Sequence, residues 1–156
     1  MLKRIGFLTA LVAIGAMCVG VFNSTVSPGL DSAQAKKRKG TKIIRANSQF
    51  GKIIFDGKRQ AIYLFDSETS RKPKCYGPCA EAWPPVMAKG KPFAGKGVRG
   101  KLIGTTKRRG GGKQVTYAGH PLYYYAHEPP RAVFCHNVFS YGGLWKVLHP
   151  GGKPER

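Results

Sequence analysis

Residues 52–68, KIIFDGKRQAIYLFDSE, contain two apolar runs joined by a polar turn. Isoleucine, phenylalanine and tyrosine dominate both runs, and such β-branched and aromatic side chains suit the pleated surface of a strand. Asp56-Gly57 lies between the runs, and Gly readily adopts the backbone conformations that a tight turn requires. The stretch therefore predicts an antiparallel hairpin whose return strand carries the sequence AIYLFD.

A second stretch, QVTYAGHPLYYYAHE at residues 114–128, follows the same outline. In each stretch an apolar strand leads through a Gly-containing turn to a tyrosine, an aromatic residue two positions later and then a glutamate. A cysteine and then a tryptophan follow both stretches: Cys75, Cys79 and Trp83 after the first, Cys135 and Trp145 after the second. The pattern predicts a degenerate duplication of one hairpin-plus-return unit. The two units are expected to share a core, because a single hairpin buries too little surface.

Short apolar runs broken by Gly, Asn and Asp occupy most of the chain after residue 41. The segments with the length and composition of strands are KIIRA, KIIFD, AIYLFD, KLIGTTK, KQVTYA, PLYYYA and LWKVLH. Residues 78–83, PCAEAW, predict one short helical turn that begins at a proline. Residues 86–101 are rich in Gly and Lys and predict a long exposed loop. The predicted fold class is all-β, with antiparallel hairpins forming a duplicated β-rich domain at residues 49–152.

The first 35 residues have the features of a secretory signal: a positive region at residues 3–4, an apolar stretch at 7–22, and small residues at Ala33 and Ala35. Residues 1–35 are therefore predicted to be a cleaved signal peptide, with an uncleaved N-terminal anchor as the alternative. Either form places the rest of the chain outside the cytoplasm. Residues 36–48 are predicted to form a basic flexible tail.

Positive charge dominates the composition. The chain has 27 Lys and Arg against seven Asp and Glu, and removal of residues 1–35 would leave 25 against six, a net charge of +19. Inside a cell this excess would indicate nucleic acid, but for an exported protein it indicates anionic envelope polymers or lipid headgroups and no specific nucleic acid. The candidate anion contacts are Lys107, Arg108 and Arg109, together with the basic residues of 96–101. The alternative is that scattered charge only keeps the protein soluble.

The repeated aromatic motif admits two interpretations. Alternation along a strand puts Tyr63 and Phe65 on one face of the first unit, and Tyr123 and Tyr125 on one face of the second. These rings would form either a platform for a ring-bearing ligand or part of the core, and the sequence favours the core. Each unit also has a glutamate just past its strand, Glu68 and Glu128. These acids are expected to accept backbone or Lys/Arg hydrogen bonds rather than to act in catalysis.

The paired outlines YLFDSE and YYYAHE, with CYGPCAEAWPP between them and GGLWKVLHPGG near the end, resemble the secreted-repeat lipoproteins with a Yx(FWY)xxD motif. The resemblance covers about residues 51–152, although both copies here end in Glu68 and Glu128 where that motif has Asp. In that family the resemblance implies export to the bacterial envelope and a duplicated β-rich unit. It implies no reaction.

The cysteines allow three arrangements. Exported proteins meet oxidising surroundings, and Cys75 and Cys79 are close enough in sequence for a turn to bring them into a disulfide. Another pairing would involve Cys135. The third arrangement is a copper or zinc site in which Cys75, Cys79 and Cys135 are joined by a histidine such as His127. The Cys75–Cys79 spacing matches neither a thioredoxin-like dithiol nor a haem-attachment motif.

No enzyme signature occurs in the sequence: the nucleophile elbow, the zinc-protease motif and the phosphate-binding loop are all absent. The sequence therefore predicts a non-catalytic, exported, basic protein of the cell envelope, without a cofactor, which binds anionic surface polymers or lipids or has a structural role. The alternative is a metal-binding or electron-transfer accessory protein that uses the three cysteines and a histidine. Membrane association through the N-terminal segment is a further expectation.

Overall fold

The computed structural model describes residues 40–156. The predictions of a signal peptide or an anchor therefore lie outside the described residues. Within them the secondary structure consists mainly of strands: β1 Lys42–Ser48, β2 Gly51–Asp56, β3 Tyr63–Phe65, β4 Phe93–Ala94, β5 Ile103–Lys107, β6 Lys113–Tyr117, β7 His120–Pro121, β8 Val138–Ser140 and β9 Gly143–Val147. One α-helix, α1 Pro78–Ala82, and one 3₁₀ turn, Gly100–Leu102, complete the described part. The all-β prediction is confirmed.

The strands form three small sheets with the orders β2-β1-β4, β3-β9-β8 and β5-β6-β7. Every pairing is antiparallel except that of β1 with β4. The sheet β3-β9-β8 joins the two sequence units, because β3 belongs to the first unit and β9 to the end of the second. No helix within residues 40–156 is long and apolar enough to cross a membrane.

Turn chemistry fixes the hairpins where the sequence predicted them. Ala118 and Gly119 have φ values of 50° and 90° and connect β6 to β7, whose register pairs Tyr117 with His120. A two-residue turn with positive φ at both positions matches the twist of the flanking strands. In the first unit, Oδ1 of Asp56 accepts hydrogen bonds from the backbone of Lys58 and Gln60, each at 2.8 Å, and so closes the turn after β2.

The segment PLYYYA is not the regular strand that the sequence predicted. Its ladder pairing ends at Pro121, and the following backbone groups bond to three different elements. The Leu122 N–H donates to Val115, the Tyr123 N–H to Tyr63, and the Tyr124 N–H to Pro84. The segment is therefore a junction between the units. Its extended residues form backbone hydrogen bonds with one neighbouring segment after another, so no continuous ladder forms.

Two other boundaries also differ from the prediction. β1 begins at Lys42 and pairs along its length with β2, so the predicted strand KIIRA is present and the predicted flexible tail at residues 36–48 is wrong for residues 42–48. Ile43 packs in the aliphatic cluster and Ile44 against the aromatic one, and this apolar packing outweighs the basic composition. Residues 86–101 are not one exposed loop, since Val86 is fully buried and β4 pairs with β1.

Strand β3 and the residue before it separate two hydrophobic clusters. Tyr63 and Phe65 point into an aromatic cluster that also contains both tryptophans, whereas Ile62 and Leu64 point into an aliphatic cluster. All four side chains are buried, as expected for a strand covered on both faces. The aromatic cluster holds the motif residues of both units.

Candidate functional site

The motif tyrosines and glutamates bond crosswise between the units. The hydroxyl of Tyr63 donates to Oε1 of Glu128 at 2.6 Å, and the hydroxyl of Tyr123 donates to Oε1 of Glu68, also at 2.6 Å. The backbones of the two tyrosines exchange a pair of N–H···O=C hydrogen bonds at 2.9 Å. Each unit thus supplies a hydroxyl to the carboxyl group of the other, and the two units are held at one shared junction.

Backbone donors complete both carboxyl sites. Oε1 of Glu68 also accepts from the N–H groups of Lys74 at 2.6 Å and Cys75 at 3.3 Å. Oε1 of Glu128 also accepts from the N–H of Phe134. Both side chains are buried and accept backbone hydrogen bonds, as predicted. The nearby charge of Arg108 also acts to lower the pKa of Glu68, although burial outweighs it. The backbone donors order the chain just after each motif.

Burial decides the electrostatics of this junction. It raises the pKa of Glu68 above its usual range, although the Tyr123 hydroxyl and two backbone N–H groups act in the opposite direction. The pKa of Glu128 is raised in the same way, against the effect of Tyr63. Burial and the neighbouring carboxyl groups also raise the pKa values of both tyrosines, so these remain phenols. The arrangement therefore binds the units together through hydrogen bonds between a phenol and a carboxyl group on each side of the junction.

Phe65, Trp145 and Trp83 form a stack of aromatic rings, and the ring of Tyr125 packs against its end at a tilt. Phe65 lies on Trp145 with ring centroids 4.4 Å apart, Trp145 on Trp83 at 3.9 Å, and Trp83 on Tyr125 at 5.0 Å. Tyr63 meets Trp83 edge-on at 5.5 Å, as Tyr123 meets Trp145 at 5.3 Å. Ring pairs of this kind contribute about 0.5–1.5 kcal/mol each beyond their buried area. The motif rings therefore pack on one another and present no open platform.

The predicted disulfide is present. Cys75 and Cys79 are bonded, with Cα atoms 5.3 Å apart. Cys79 lies in α1, and Cys75 lies in the segment that donates to Glu68. The bond therefore fixes the start of the helix to the end of the first motif and places Trp83, the residue after the helix, in the stack.

Cys135 is a buried free thiol. Its N–H donates to the Tyr63 hydroxyl at 3.3 Å, and burial together with the charge of Glu128 raises its pKa to about 11. Cys135 occupies the position in the second unit that Cys75 has in the first, but the residue four positions later is Phe139 rather than a cysteine. The second unit thus has no partner for this thiol at the corresponding place.

The alternative metal set is not assembled in the described part of the chain. Two of its thiols are joined in the disulfide, and His127 is exposed with its ring against Tyr125. Within residues 40–156 no three His, Cys, Asp or Glu side chains are grouped so that they could hold a metal ion.

The basic hairpin tip packs on the disulfide turn. The guanidinium carbons of Arg108 and Arg109 lie 4.3 Å and 4.1 Å from the centroid of the Tyr76 ring, as in cation–π contacts. Arg108 also donates to the carbonyl of Cys75 at 2.7 Å and to Oε1 of Gln114 at 2.6 Å. Arg108, one of the three predicted anion contacts, is therefore half-buried and held by protein groups.

A cleft opens beside this contact, and we call it the Tyr76 cleft. Its volume is about 480 Å³, and its lining residues are Lys72, Pro73, Lys74, Tyr76, Lys107 and Arg109. Four of these six are cationic, and none is an acid. The Lys74 ammonium donates to the carbonyl of Ser67 at 2.7 Å, which fixes its stem at the rim. The other predicted basic surface, at residues 96–101, has exposed cations but does not line this cleft.

Comparison with protein-family models, with curated proteins and with solved structures finds no match to this chain. The structural features of the site must therefore carry the functional argument.

Sequence reasoning missed two features of the site. It identified the tyrosines and glutamates but did not pair them across the units, although each glutamate stands at the same distance after its tyrosine. It also gave Lys107, Arg108 and Arg109 together as anion contacts, whereas Arg108 is held by protein groups. Nothing local in the sequence associates Arg108 and Arg109 with Tyr76, because the contact depends on how the hairpin folds back onto the disulfide turn.

Proposed function

We propose that the protein is an exported, non-catalytic protein of the cell envelope that binds anionic surface polymers in the Tyr76 cleft. The observation that carries the proposal is the lining of that cleft by Lys72, Lys74, Lys107 and Arg109 without a carboxylate. The duplicated units act as the scaffold in this proposal, and the motif aromatics serve the core.

The charge distribution supports an anionic partner. Residues 40–156 contain 21 Lys and Arg against six Asp and Glu, a formal net charge of +15. Two of the six acids, Glu68 and Glu128, are buried and bonded to tyrosines. The excess of positive charge on the exposed surface is thus larger than the net charge of residues 40–156. This surface attracts anions over roughly a Debye length, about 10 Å at 0.1 M salt.

The disulfide supports an extracytoplasmic location, because disulfide bonds persist where the surroundings are oxidising. It also supports the position of the site. Cys75 lies between Lys74 and Tyr76 in sequence, and its carbonyl accepts from Arg108. The covalent turn and the hairpin tip thereby place cations from two distant segments on one concave surface.

A polymer suits this cleft better than a single small anion. An ion pair at 4 Å is worth about 1 kcal/mol in water and about 4 kcal/mol in the partly screened surroundings of a protein surface. Side-chain entropy and screening by salt reduce the net contribution of one exposed pair to about 0–1 kcal/mol, whereas a chain with repeated charges can contact several cations at once. Phosphate-bearing and carboxylate-bearing polymers share this chemistry.

The test compares two labelled polymers, inorganic polyphosphate and polygalacturonate, by fluorescence anisotropy with the full chain. The cleft variant is Lys72→Gln/Lys107→Gln/Arg109→Gln. The control variant, Lys52→Gln/Lys91→Gln/Lys153→Gln, removes the same charge from exposed positions outside the cleft.

The proposal predicts that the cleft variant loses at least about tenfold in affinity, the equivalent of about 1.4 kcal/mol, for one or both polymers. The control variant should lose much less. Polyphosphate binding alone would indicate a phosphate polymer, and polygalacturonate binding alone a uronate polymer. Equal loss in both variants, or binding to neither polymer, would overturn the assignment of the cleft.

A further inference from the structure

One short segment carries almost all of the exposed large hydrophobic side chains of residues 40–156. Phe134, Val138, Phe139 and Tyr141 lie in this segment, and outside it only Met87 is comparably exposed. Phe139 is 71 % exposed and Phe134 is 65 % exposed. Aromatic side chains this open to water, gathered within a few residues, are unusual on a soluble surface and indicate an interaction site. We call residues 134–141 the aromatic segment.

The segment differs from its surroundings in charge. The run from Ala132 to Trp145 contains no Lys, Arg, Asp or Glu, although the described part of the chain carries +15. Arg131 and Lys146 flank the run. Arg156 lies beside it, because its carbonyl accepts a hydrogen bond from the Asn137 amide at 3.0 Å. The segment therefore carries no Lys, Arg, Asp or Glu of its own, within a strongly cationic domain.

Two acids lie near the segment. Asp66 contacts the loop after the aromatic segment, where its Oδ1 accepts the Leu144 N–H at 2.7 Å. Glu128, the nearest preceding acid in the sequence, is buried and accepts from the Phe134 N–H and the Tyr63 hydroxyl. Asp66 is exposed, so the attraction to an anionic surface comes from the net charge of +15 of residues 40–156.

Strand β8, which lies within the aromatic segment, is also an edge strand. β8 pairs with β9 on one side and forms the edge of the sheet β3-β9-β8. Edge strands are commonly guarded by a charged residue or a proline, but VFS, the sequence of β8, contains neither. A second copy of the chain is one conceivable occupant of such an edge. Pairing two copies there would, however, bring together two domains that each carry +15.

We propose that the aromatic segment is a membrane-contacting surface that inserts its side chains at the interface of a bilayer rich in anionic lipids. Charge complementarity selects this occupant, because the net charge of +15 attracts the domain to anionic headgroups while the aromatic rings enter the boundary between headgroups and acyl chains. The contact requires no partner strand and no change in the core. It is independent of the Tyr76 cleft, whose residues belong to other segments.

The test places a reporter on the segment in the full chain. Phe139→Trp introduces an exposed tryptophan, whereas both native tryptophans are buried. Met87→Trp is the matched control, since Met87 is the exposed large hydrophobic residue that residues 40–156 have outside the segment. Vesicles of phosphatidylglycerol and phosphatidylcholine in equal parts provide the anionic surface, and pure phosphatidylcholine provides the neutral one.

On anionic vesicles the Phe139→Trp emission should shift to the blue and be quenched by brominated acyl chains, while the Met87→Trp emission changes little. Neutral vesicles should give a much weaker response. The variant Phe134→Ser/Phe139→Ser should lose at least about tenfold in partitioning onto anionic vesicles, because fully burying even one phenylalanine contributes more than that factor.

Three results would overturn the proposal. The first is no Phe139→Trp response on anionic vesicles. The second is an equal response from Met87→Trp, which would indicate that another part of the chain makes the contact. The third is a Phe139→Trp emission that is already blue-shifted without lipid, which would show that a second copy or another segment of the chain covers the surface; light scattering would distinguish these two occupants.

Discussion

Replacing Tyr63 by phenylalanine is the sharpest perturbation of the junction between the units. The substitution keeps the ring, and with it the edge-on contact with Trp83, but removes the hydroxyl. Two hydrogen bonds are lost with it: the 2.6 Å bond to Glu128 and the 3.3 Å bond from the Cys135 N–H. Glu128 then retains only the donor from Phe134. A buried carboxyl oxygen and a buried N–H are both left with fewer partners.

The expected cost follows from those losses. An unsatisfied buried polar group costs about 1–3 kcal/mol, so Tyr63→Phe should lower the free energy of unfolding by about 2–4 kcal/mol. Tyr123→Phe should cost less, about 1–2 kcal/mol, because Glu68 keeps the N–H donors of Lys74 and Cys75. Tyr141→Phe is the control, since this tyrosine is half exposed and its change should stay within about 0.5 kcal/mol.

Urea unfolding of the full chain, followed by tryptophan fluorescence, measures all three variants. A lower midpoint with an unchanged slope would report a loss of stability. The reasoning would be refuted if Tyr63→Phe behaved like Tyr141→Phe, or if Tyr123→Phe proved the more damaging of the two motif substitutions.

Three further predictions concern the buried groups. Burial raises the folded-state pKa values of Glu68 and Glu128, so the folded protein favours their protonated forms. The contribution of this preference to the free energy of unfolding is fully present below the unfolded pKa, about 4.3, and is lost as pH rises through the folded pKa. Urea midpoints should accordingly fall across that window in the wild type and fall less in Glu68→Gln/Glu128→Gln, and identical profiles would contradict the assignment. Cys135, buried with a pKa of about 11, should resist iodoacetamide at pH 8 until urea unfolds the chain, as mapped by mass spectrometry; rapid labelling of the folded protein would be inconsistent with its position. Converting Cys75 and Cys79 together to serine should cost about 1–2 kcal/mol in the same urea assay, less than for a long loop because so few residues are enclosed, and no change would show that the turn holds without its bond.

The features that the sequence predicted well are those determined over a few residues. The Ala118-Gly119 turn, the helical turn at Pro78 and the Cys75–Cys79 disulfide each depend on the residues themselves, and all are confirmed. Alternation along the strand also predicted that Tyr63 and Phe65 share one face and belong to the core, and both lie in the aromatic cluster. Local chemistry and periodicity are sufficient for such features.

The features that escaped prediction depend on tertiary contacts. The PLYYYA segment has a strand-like composition, but Tyr123 and Tyr124 find their partners in elements far away in sequence. The fixed place of Arg108 against Tyr76 likewise requires the hairpin and the disulfide turn to meet. Periodicity cannot specify which distant backbone group will be the partner, so both the junction and the Tyr76 cleft had to be found from the structure.

The most direct test of the account is the salt dependence of polyphosphate binding to the full chain. The logarithm of the affinity should fall linearly with the logarithm of salt concentration in the wild type. The slope should become shallower by roughly 2 in Lys72→Gln/Lys107→Gln/Arg109→Gln, at about 0.7 per cation lost to a flexible polyanion. The variant Lys52→Gln/Lys91→Gln/Lys153→Gln should keep the wild-type slope. A slope that is unchanged in the cleft variant, or reduced equally in both variants, would contradict the claim that the Tyr76 cleft is the anionic polymer site.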